Sequence, residues 1–234
     1  MERKFRILKA IIESFIVSAE PVGSKFLLEK MDMDVSPATI RNDMSWLEKH
    51  GLLYQPYTSA GRVPTTHGFR MYVDELMGES HVSAMAQGDI AVDSLKRQVA
   101  EDRIYYAVSL LARTCGGVSF ATIPPHGKAY YLGLSNILQT PEFTNSMEAS
   151  TVVKVLEDQE LFLDLLHQLP IDDEVRVFIG EENILPEIQS CSLIAVTFSS
   201  ATLGDGILGI LGPKRMNYAF NMAALNHVRS ELSS

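Results

Sequence analysis

The sequence predicts an α+β protein with an N-terminal winged helix-turn-helix domain, followed by a second domain around one antiparallel sheet. Three observations predict it. SPATIRNDMSWLEKHGLL at 36–53 reads as a capped helix with a single apolar side. A short helix precedes it and a hairpin pattern follows it. Beyond residue 116, strand-like segments alternate with helical ones.

Residues 4–18 place Leu8, Ile11, Ile12, Phe15 and Ile16 at i, i+3, i+4, i+7 and i+8, one apolar helical face. Pro21 and Gly23 make a turn, and Ser24 caps a short helix through Met31. In the third helix Ser36 is the cap, Pro37 sits where its missing N–H costs nothing, and Gly51 is the stop. Leu52–Tyr54 reads as a strand, Tyr57–Gly61 as a turn and Arg62–Val63 as the start of the return, a hairpin with a glycine beside an arginine, Gly61–Arg62, at its tip: the wing. A further helix opens at Thr65 or Thr66. Residues 79–92 read as a hinge, and a long helix runs over 89–113 with Leu95, Val99, Val108 and Leu111 on its apolar side. GVSFATIP, KAYYLGL, EVRVFIG, SLIAVTFS and ILGIL read as strands, and 147–168 and 214–232 as helices. The expected domains are therefore 1–78, a hinge and linker helix at 79–113, and 114–234.

The net charge of −9 speaks against binding a polyanion until it is divided along the chain. Residues 1–75 hold ten Lys/Arg and ten Asp/Glu, and the remainder carries the whole excess. A neutral domain with its basic residues on one face binds DNA through that local patch, while total charge governs long-range steering. No apolar run is long enough for a membrane span, and the N-terminus lacks a signal-peptide pattern, so a cytoplasmic protein without membrane contact is expected. Cys115 and Cys191 are far apart and read as buried free thiols, and the six histidines show no metal-ligand spacing.

With Ile40, Met44 and Leu47 facing the core, Ala38, Asn42, Ser45 and Lys49 point outward, flanked by Arg41 and Trp46. A small, polar, basic face suits a helix entering a major groove. Asn42, Ser45 and Arg41 are the candidates for base or near-base contact. Ser36, Thr39, Lys49 and Arg62, with Gly61 beside it, are the candidates for the phosphates. Other motifs weigh less. GDGILG at 204–209 satisfies G-x-G-x-x-G, but its third glycine leads into ILGPKR rather than a helix, so LGDG reads as a hairpin turn. SAEPVGS lacks the lysine and glycine set of a phosphate loop. Asp172, Asp173 and GEEN at 180–183 read as solvated turn carboxylates. No catalytic set converges, and no cofactor or metal is expected.

These residues together resemble the HrcA family of heat-inducible transcription repressors. EPVGSKFL with SPATIRNDMSWLEKHGLL is similar to its helix-turn-helix, and SAGRVPTTHGFRMYVDEL to its wing and following helix. LSNILQTPEF, VRVFIGEEN, CSLIAVTF and GDGILGILGPKRMNY are similar, in order, to its C-terminal domain. The resemblance implies a GAF-like regulatory domain and a repressor of chaperone operons that binds an inverted repeat, the CIRCE operator. It also implies release on heat stress and a partnership with the GroEL chaperonin. Members usually carry more sheet and an inserted dimerising domain between the segments matching 119–125 and 128–134. Here only His126 and Gly127 stand between them, so the second domain is reduced in size. A homodimer on a palindrome must then form by another route, for which the 89–113 helix or an exposed sheet edge is the candidate. Two other readings stand beside this one: a regulator sensing a small ligand through its C-terminal domain, and a protein-contact module whose winged helix never meets DNA.

Overall fold

The computed structural model of the chain describes residues 2–31, 35–78, 100–123, 128–144 and 146–233. It divides into two compact units, Met1–Gly78 and Glu79–Ser234. The expected hinge at 79–92, the beginning of the long helix with Leu95 and Val99, and His126–Gly127 lie outside the described residues.

In the first unit, α1 (Glu2–Ser18) buries Ile7, Leu8, Ile11 and Ile12. Ser24, expected as a cap, is instead the first residue of α2 (Ser24–Lys30). Gly23 holds the cap position without a side-chain bond. In α3 (Pro37–Lys49) the Ser36 hydroxyl accepts from the Thr39 N–H at 3.1 Å, satisfying one of the free donors of the first turn. β1 (Leu53–Tyr54) and β2 (Val63–Pro64) pair antiparallel. Thr65 caps α4 (Thr66–Gly78) by accepting from the Gly68 N–H at 3.0 Å. Leu27, Ile40, Leu47, Leu53 and Val73 close the core against α1.

The second unit is α+β, with a five-stranded, wholly antiparallel sheet in the order β4-β3-β7-β6-β5. The strands are β3 (Val118–Ile123), β4 (Lys128–Leu132), β5 (Arg176–Ile179), β6 (Cys191–Ser200) and β7 (Gly204–Pro213). α5 (Ala100–Cys115) and α9 (Tyr218–Leu232) pack together on one face. There the buried Ser192 hydroxyl meets the Tyr218 hydroxyl at 2.7 Å. The opposite face carries Phe120, Phe178, Leu193 and Leu211. They join α7 (Ser146–Glu157) and α8 (Gln159–Gln168) in one core through Val152, Leu156, Phe162 and Leu166. A short helix, α6 (Leu134–Leu138), follows β4.

Three expectations change here. The single helix over 147–168 is two, because the Asp158 carboxylate accepts from the Leu161 N–H and begins a new helix. The β6–β7 hairpin turns at 201–203 rather than at the Asp-Gly pair. Asp205 already pairs with Ser199 inside the ladder, and the Ser199 hydroxyl donates to its carboxylate at 2.5 Å. The described part of the long helix is not a bare linker. Ile104, Ala107, Val108, Leu111 and Ala112 are buried within the second unit, so in the described part of the helix named as the dimerisation candidate the apolar side is already occupied.

The glycines of β7 have a packing reason. A Cβ on Gly209 would overlap the Phe120 ring, which stands edge-on to Phe162 with ring centroids 5.0 Å apart. Gly209→Ala is therefore expected to cost roughly 1–3 kcal/mol through overpacking. Urea unfolding followed by near-UV circular dichroism measures it, and an unchanged midpoint would contradict this packing. Both cysteines are free, and burial pushes the Cys115 thiol up to about 11 and the Cys191 thiol up to about 12. The reactive thiolate is then scarce at neutral pH and grows as pH rises. The native chain should react with a disulfide reagent at pH 8 at least an order of magnitude more slowly than after urea unfolding, as a stopped-flow comparison would show.

Candidate nucleic-acid interface

α3 has two unlike sides. Ile40, Met44 and Leu47 are buried, and Ala38, Arg41, Asn42 and Lys49 are exposed. Ser45 is half-buried, and its hydroxyl donates to the Arg41 carbonyl at 3.0 Å, which leaves its lone pairs outward as acceptors. Ser36 is exposed even while capping, and its hydroxyl lies 3.0 Å from that of Thr39. The helix thus gathers Arg41, Asn42, Ser45 and Lys49 along one side with Ser36 and Thr39 at its start. Asn42 has no hydrogen-bond partner among the described residues, so its amide is available to a ligand.

One polar residue faces the other way. Asp43 lies on the buried stripe, its side chain 7% exposed, and receives Arg3 Nε at 2.7 Å and Nη2 at 3.2 Å, with Lys4 Nζ at 3.9 Å. Lys4 also stands 4.9 Å above the Trp46 ring, which stacks on His50 at 3.6 Å. The sequence reading passed over Asp43. The signal was present, since an acid three residues after Ile40 falls on the apolar stripe and requires a cation there.

This pairing sorts the basic residues of the first unit. Arg3 and Lys4 serve Asp43, Arg62 serves Glu48, Arg70 serves Asp74, and Lys30 donates to the Ser14 hydroxyl. Arg6, Lys25, Arg41 and Lys49 have no ion-pair partner among the described residues. Lys25 is a second residue that the sequence reading missed.

The wing corrects the expectation for Gly61 and Arg62. They lie at its base, where Arg62 and Val22 exchange both backbone hydrogen bonds, at 2.9 and 3.0 Å. A Cβ on Gly61 would lie 2.5 Å from the Val22 carbonyl, so only glycine allows that approach. The Arg62 guanidinium, 15% exposed, meets Glu48 of α3 through Nη2 at 2.9 Å and Nε at 3.1 Å. The tip is formed by Tyr57–Ser59, with Tyr57 exposed and the Ala60 N–H donating to the Tyr57 carbonyl.

The other motifs are structural. GDGILG lies within β7. The Asp172 carboxylate takes Arg176 Nε at 2.9 Å, and this bond holds it below the usual aspartate value against a smaller opposing effect of desolvation. In GEEN, Glu182 accepts from the Ile179 N–H, and Asn183 donates to the Gly180, Ile188 and Cys191 carbonyls. No cluster of three His, Cys, Asp or Glu able to hold a metal occurs among the described residues, and none of their helices is long and apolar enough to cross a membrane.

A helix-turn-helix with hairpin, joined in sequence to an α+β unit, has the composition of a two-part transcription regulator. Residues 78–222 match the family model described as HrcA protein C terminal domain, and the chain belongs to the HrcA family. Proteins named heat-inducible transcription repressor HrcA are similar over almost all of it. That of Ruminiclostridium cellulolyticum is 27% identical over 99% of this chain and 96% of its own length. That of Thermomicrobium roseum is 29% identical over 99% and 94%. The first alignment spans 335 positions against a chain of 234 residues, so the relative carries a substantial number of residues without a counterpart here. A crystal structure described as a hypothetical protein shares the fold, with a TM-score of 0.84 and 20% identity over all of this chain and 97% of that one.

The geometry makes Arg62 a fastener of the wing. Arg62→Ala and Glu48→Ala should each lower the thermal midpoint, and the double variant should lose less than their sum. A coupling of roughly 0.5–1 kcal/mol is expected for a partly exposed pair. A double-mutant cycle by urea unfolding tests this, and strict additivity would return Arg62 to the list of free cations.

Proposed function

We propose that this chain is a DNA-binding transcriptional repressor of heat-shock chaperone operons, without catalytic activity, acting in the cytoplasm. Residues 1–78 are the DNA-binding part, and the second unit, into whose core α5 is built, is a shortened GAF-like regulatory part. The operator is an inverted repeat of the CIRCE type, occupied by a homodimer and vacated on heat stress, with the GroEL chaperonin as the partner that sustains activity. The observation that carries the DNA reading is the exposed side of α3, where Arg41 and Lys49 lack ion-pair partners, and the Asn42 amide a hydrogen-bond partner, among the described residues. Membership of the HrcA family supports the operator class and the regulation.

Asn42 and Ser45 are assigned to base edges. Ser36, Thr39 and Lys49 are assigned to the backbone, and Gly61 and Arg62 to holding the wing in place. The dimer requires a surface other than the apolar side of α5. The outer edge of β4, with Tyr130 exposed beside it, is the available alternative. A small-ligand sensor is less favoured, because Phe120, Phe162 and Phe178 fill the space between the sheet and the α7–α8 layer.

Fluorescence anisotropy at two salt concentrations tests the reading with a CIRCE-type repeat, a single half-site and a scrambled duplex. Tight binding to the full repeat alone is expected. Indifference to all three would leave the winged helix as a protein-contact module. Asn42→Ala should lose roughly 1–3 kcal/mol of discrimination between operator and scrambled duplex, with its thermal midpoint unchanged. Undiminished discrimination would remove Asn42 from the base-reading set.

A further inference from the structure

Asp43 occupies a position on α3 where an apolar residue is expected. It lies on the stripe of Ile40, Met44 and Leu47, with its side chain 7% exposed. Stability alone gives no reason for an acid there. A buried ion pair is often no better for the folded state than well-packed apolar residues of similar volume, because taking both charges out of water costs about what their attraction returns. What a paired carboxylate supplies, and a leucine does not, is direction. Arg3 of α1 meets it through Nε at 2.7 Å and Nη2 at 3.2 Å, which holds the two groups in one relative orientation. Lys4, 3.9 Å from the same carboxylate, stands over the Trp46 ring, so a second residue of α1 grips α3 beside it.

The place of Asp43 on the helix gives that direction a use. At 3.6 residues per turn, Asp43 lies roughly 160° around α3 from Ser45 and roughly 100° from Asn42. The pair therefore holds the helix from behind the side that carries both. On a helix about 10–12 Å across, a rotation of about 20° carries a side-chain tip about 2 Å. A hydrogen bond tolerates a range of only about 0.5 Å, so such a rotation breaks a contact to a base edge. A lysine reaching a phosphate absorbs the same shift through its flexible stem. The other fastening of α3, Glu48 to Arg62, leads to the wing hairpin, whereas Arg3 belongs to α1, whose Ile7, Leu8, Ile11 and Ile12 are fully buried. α1 is thus the fixed reference against which α3 is set.

We propose that Asp43 is a positioning residue for sequence discrimination: paired with Arg3, it sets the rotation at which α3 presents Asn42 and Ser45 to the bases. The proposal rests on the DNA-binding reading above. It assigns the pair no contact with the duplex and no share in the affinity common to all duplexes.

The test uses the full chain, a CIRCE-type repeat and a scrambled duplex. Replacing the pair by apolar residues, Arg3→Met with Asp43→Leu, should hold or raise the thermal midpoint. It should lower the preference for the repeat over the scrambled duplex by roughly fivefold or more, the lower end of one base contact. Affinity for the scrambled duplex and its salt slope should stay as in the parent, because the phosphate contacts remain. Asn42→Ala, which costs the parent preference, should then cost the pair variant none. A merely structural role gives a different result, since loss of folded chain weakens binding to both duplexes by one factor and leaves the effect of Asn42→Ala intact. Arg3→Lys carries the test whether or not the pair variant folds. It keeps the charge, removes the two-nitrogen grip and should lower preference in the same way. Full preference in Arg3→Lys or in the folded pair variant, or an undiminished effect of Asn42→Ala there, overturns the role of Asp43 while the repressor reading stands. A parent chain that does not prefer the repeat to the scrambled duplex sinks the DNA reading and this proposal with it.

Discussion

The buried carboxylate of Asp43 constrains the first unit more than any other group. A charge with 7% of its side chain exposed is tolerable only when paired, and the pairing here joins α1 to α3 through Arg3 at 2.7 Å. Apolar contacts alone specify the rotation of a helix loosely, because Ile40, Met44 and Leu47 would pack acceptably through a range of angles. A guanidinium meeting a carboxylate through two nitrogens has a narrow geometry. Fixing Asp43 inward fixes Arg41, Asn42 and Ser45 in their outward directions. The same bond bears on how a neutral unit would meet a polyanion, as proposed. Three of its acids, Asp43, Glu48 and Asp74, hold Arg3 with Lys4, Arg62 and Arg70, and the basic residues without an ion-pair partner among the described residues include Arg41 and Lys49 on the exposed side of α3.

The second unit depends on a different constraint, close approach within the sheet. Gly209 lets the Phe120 ring lie over β7, and Phe120 then reaches Phe162 of α8. The face is filled by aromatic and branched side chains from both layers. On the opposite face the seal is partly polar, since Ser192 and Tyr218 satisfy each other where α9 crosses β6. A sheet covered on both faces presents its edges as the remaining places for backbone pairing. β4 and β5 are those edges.

Much of this was legible in the sequence, for identifiable reasons. The Ser36–Pro37 start of α3 carries its own chemistry, and the apolar periods report the buried Ile40, Met44 and Leu47 of α3 and the buried Leu8, Ile11 and Ile12 of α1, though Phe15 and Ile16 are only half-buried and Ile7 joins the core in their place. The α+β character with an antiparallel sheet followed from the alternation beyond residue 116. What escaped was long-range. Gly61 and Arg62 look like a turn tip by local propensity, but a bridge to Val22 places them at the base of the wing. The Asp-Gly pair at 205–206 has strong turn preference, yet the ladder from Cys191–Pro213 to Ser200–Gly204 sets a register that places the turn earlier. Asp158 was a readable cap that the continuous apolar pattern on either side concealed. The site followed the same division. The exposure of Asn42 was readable from helical spacing, whereas the pairing of Arg62 with Glu48 required the tertiary structure to be known.

The division of charge also limits what the acidic unit can do to recognition. Repulsion between excess carboxylates and a duplex is screened beyond about 8 Å at physiological ionic strength. That repulsion is the same for every base sequence, so it lowers operator and non-operator affinity together. Preference between them has to arise from groups in contact with base edges and from the shape that the duplex adopts against the protein. On the proposed reading Lys49 likewise adds affinity without preference, because phosphates are alike along the strand. On that reading the discriminating chemistry is confined to Asn42 and Ser45 on one side of α3. The angle at which α3 presents that side is held from within by Asp43, whose carboxylate is buried against Arg3.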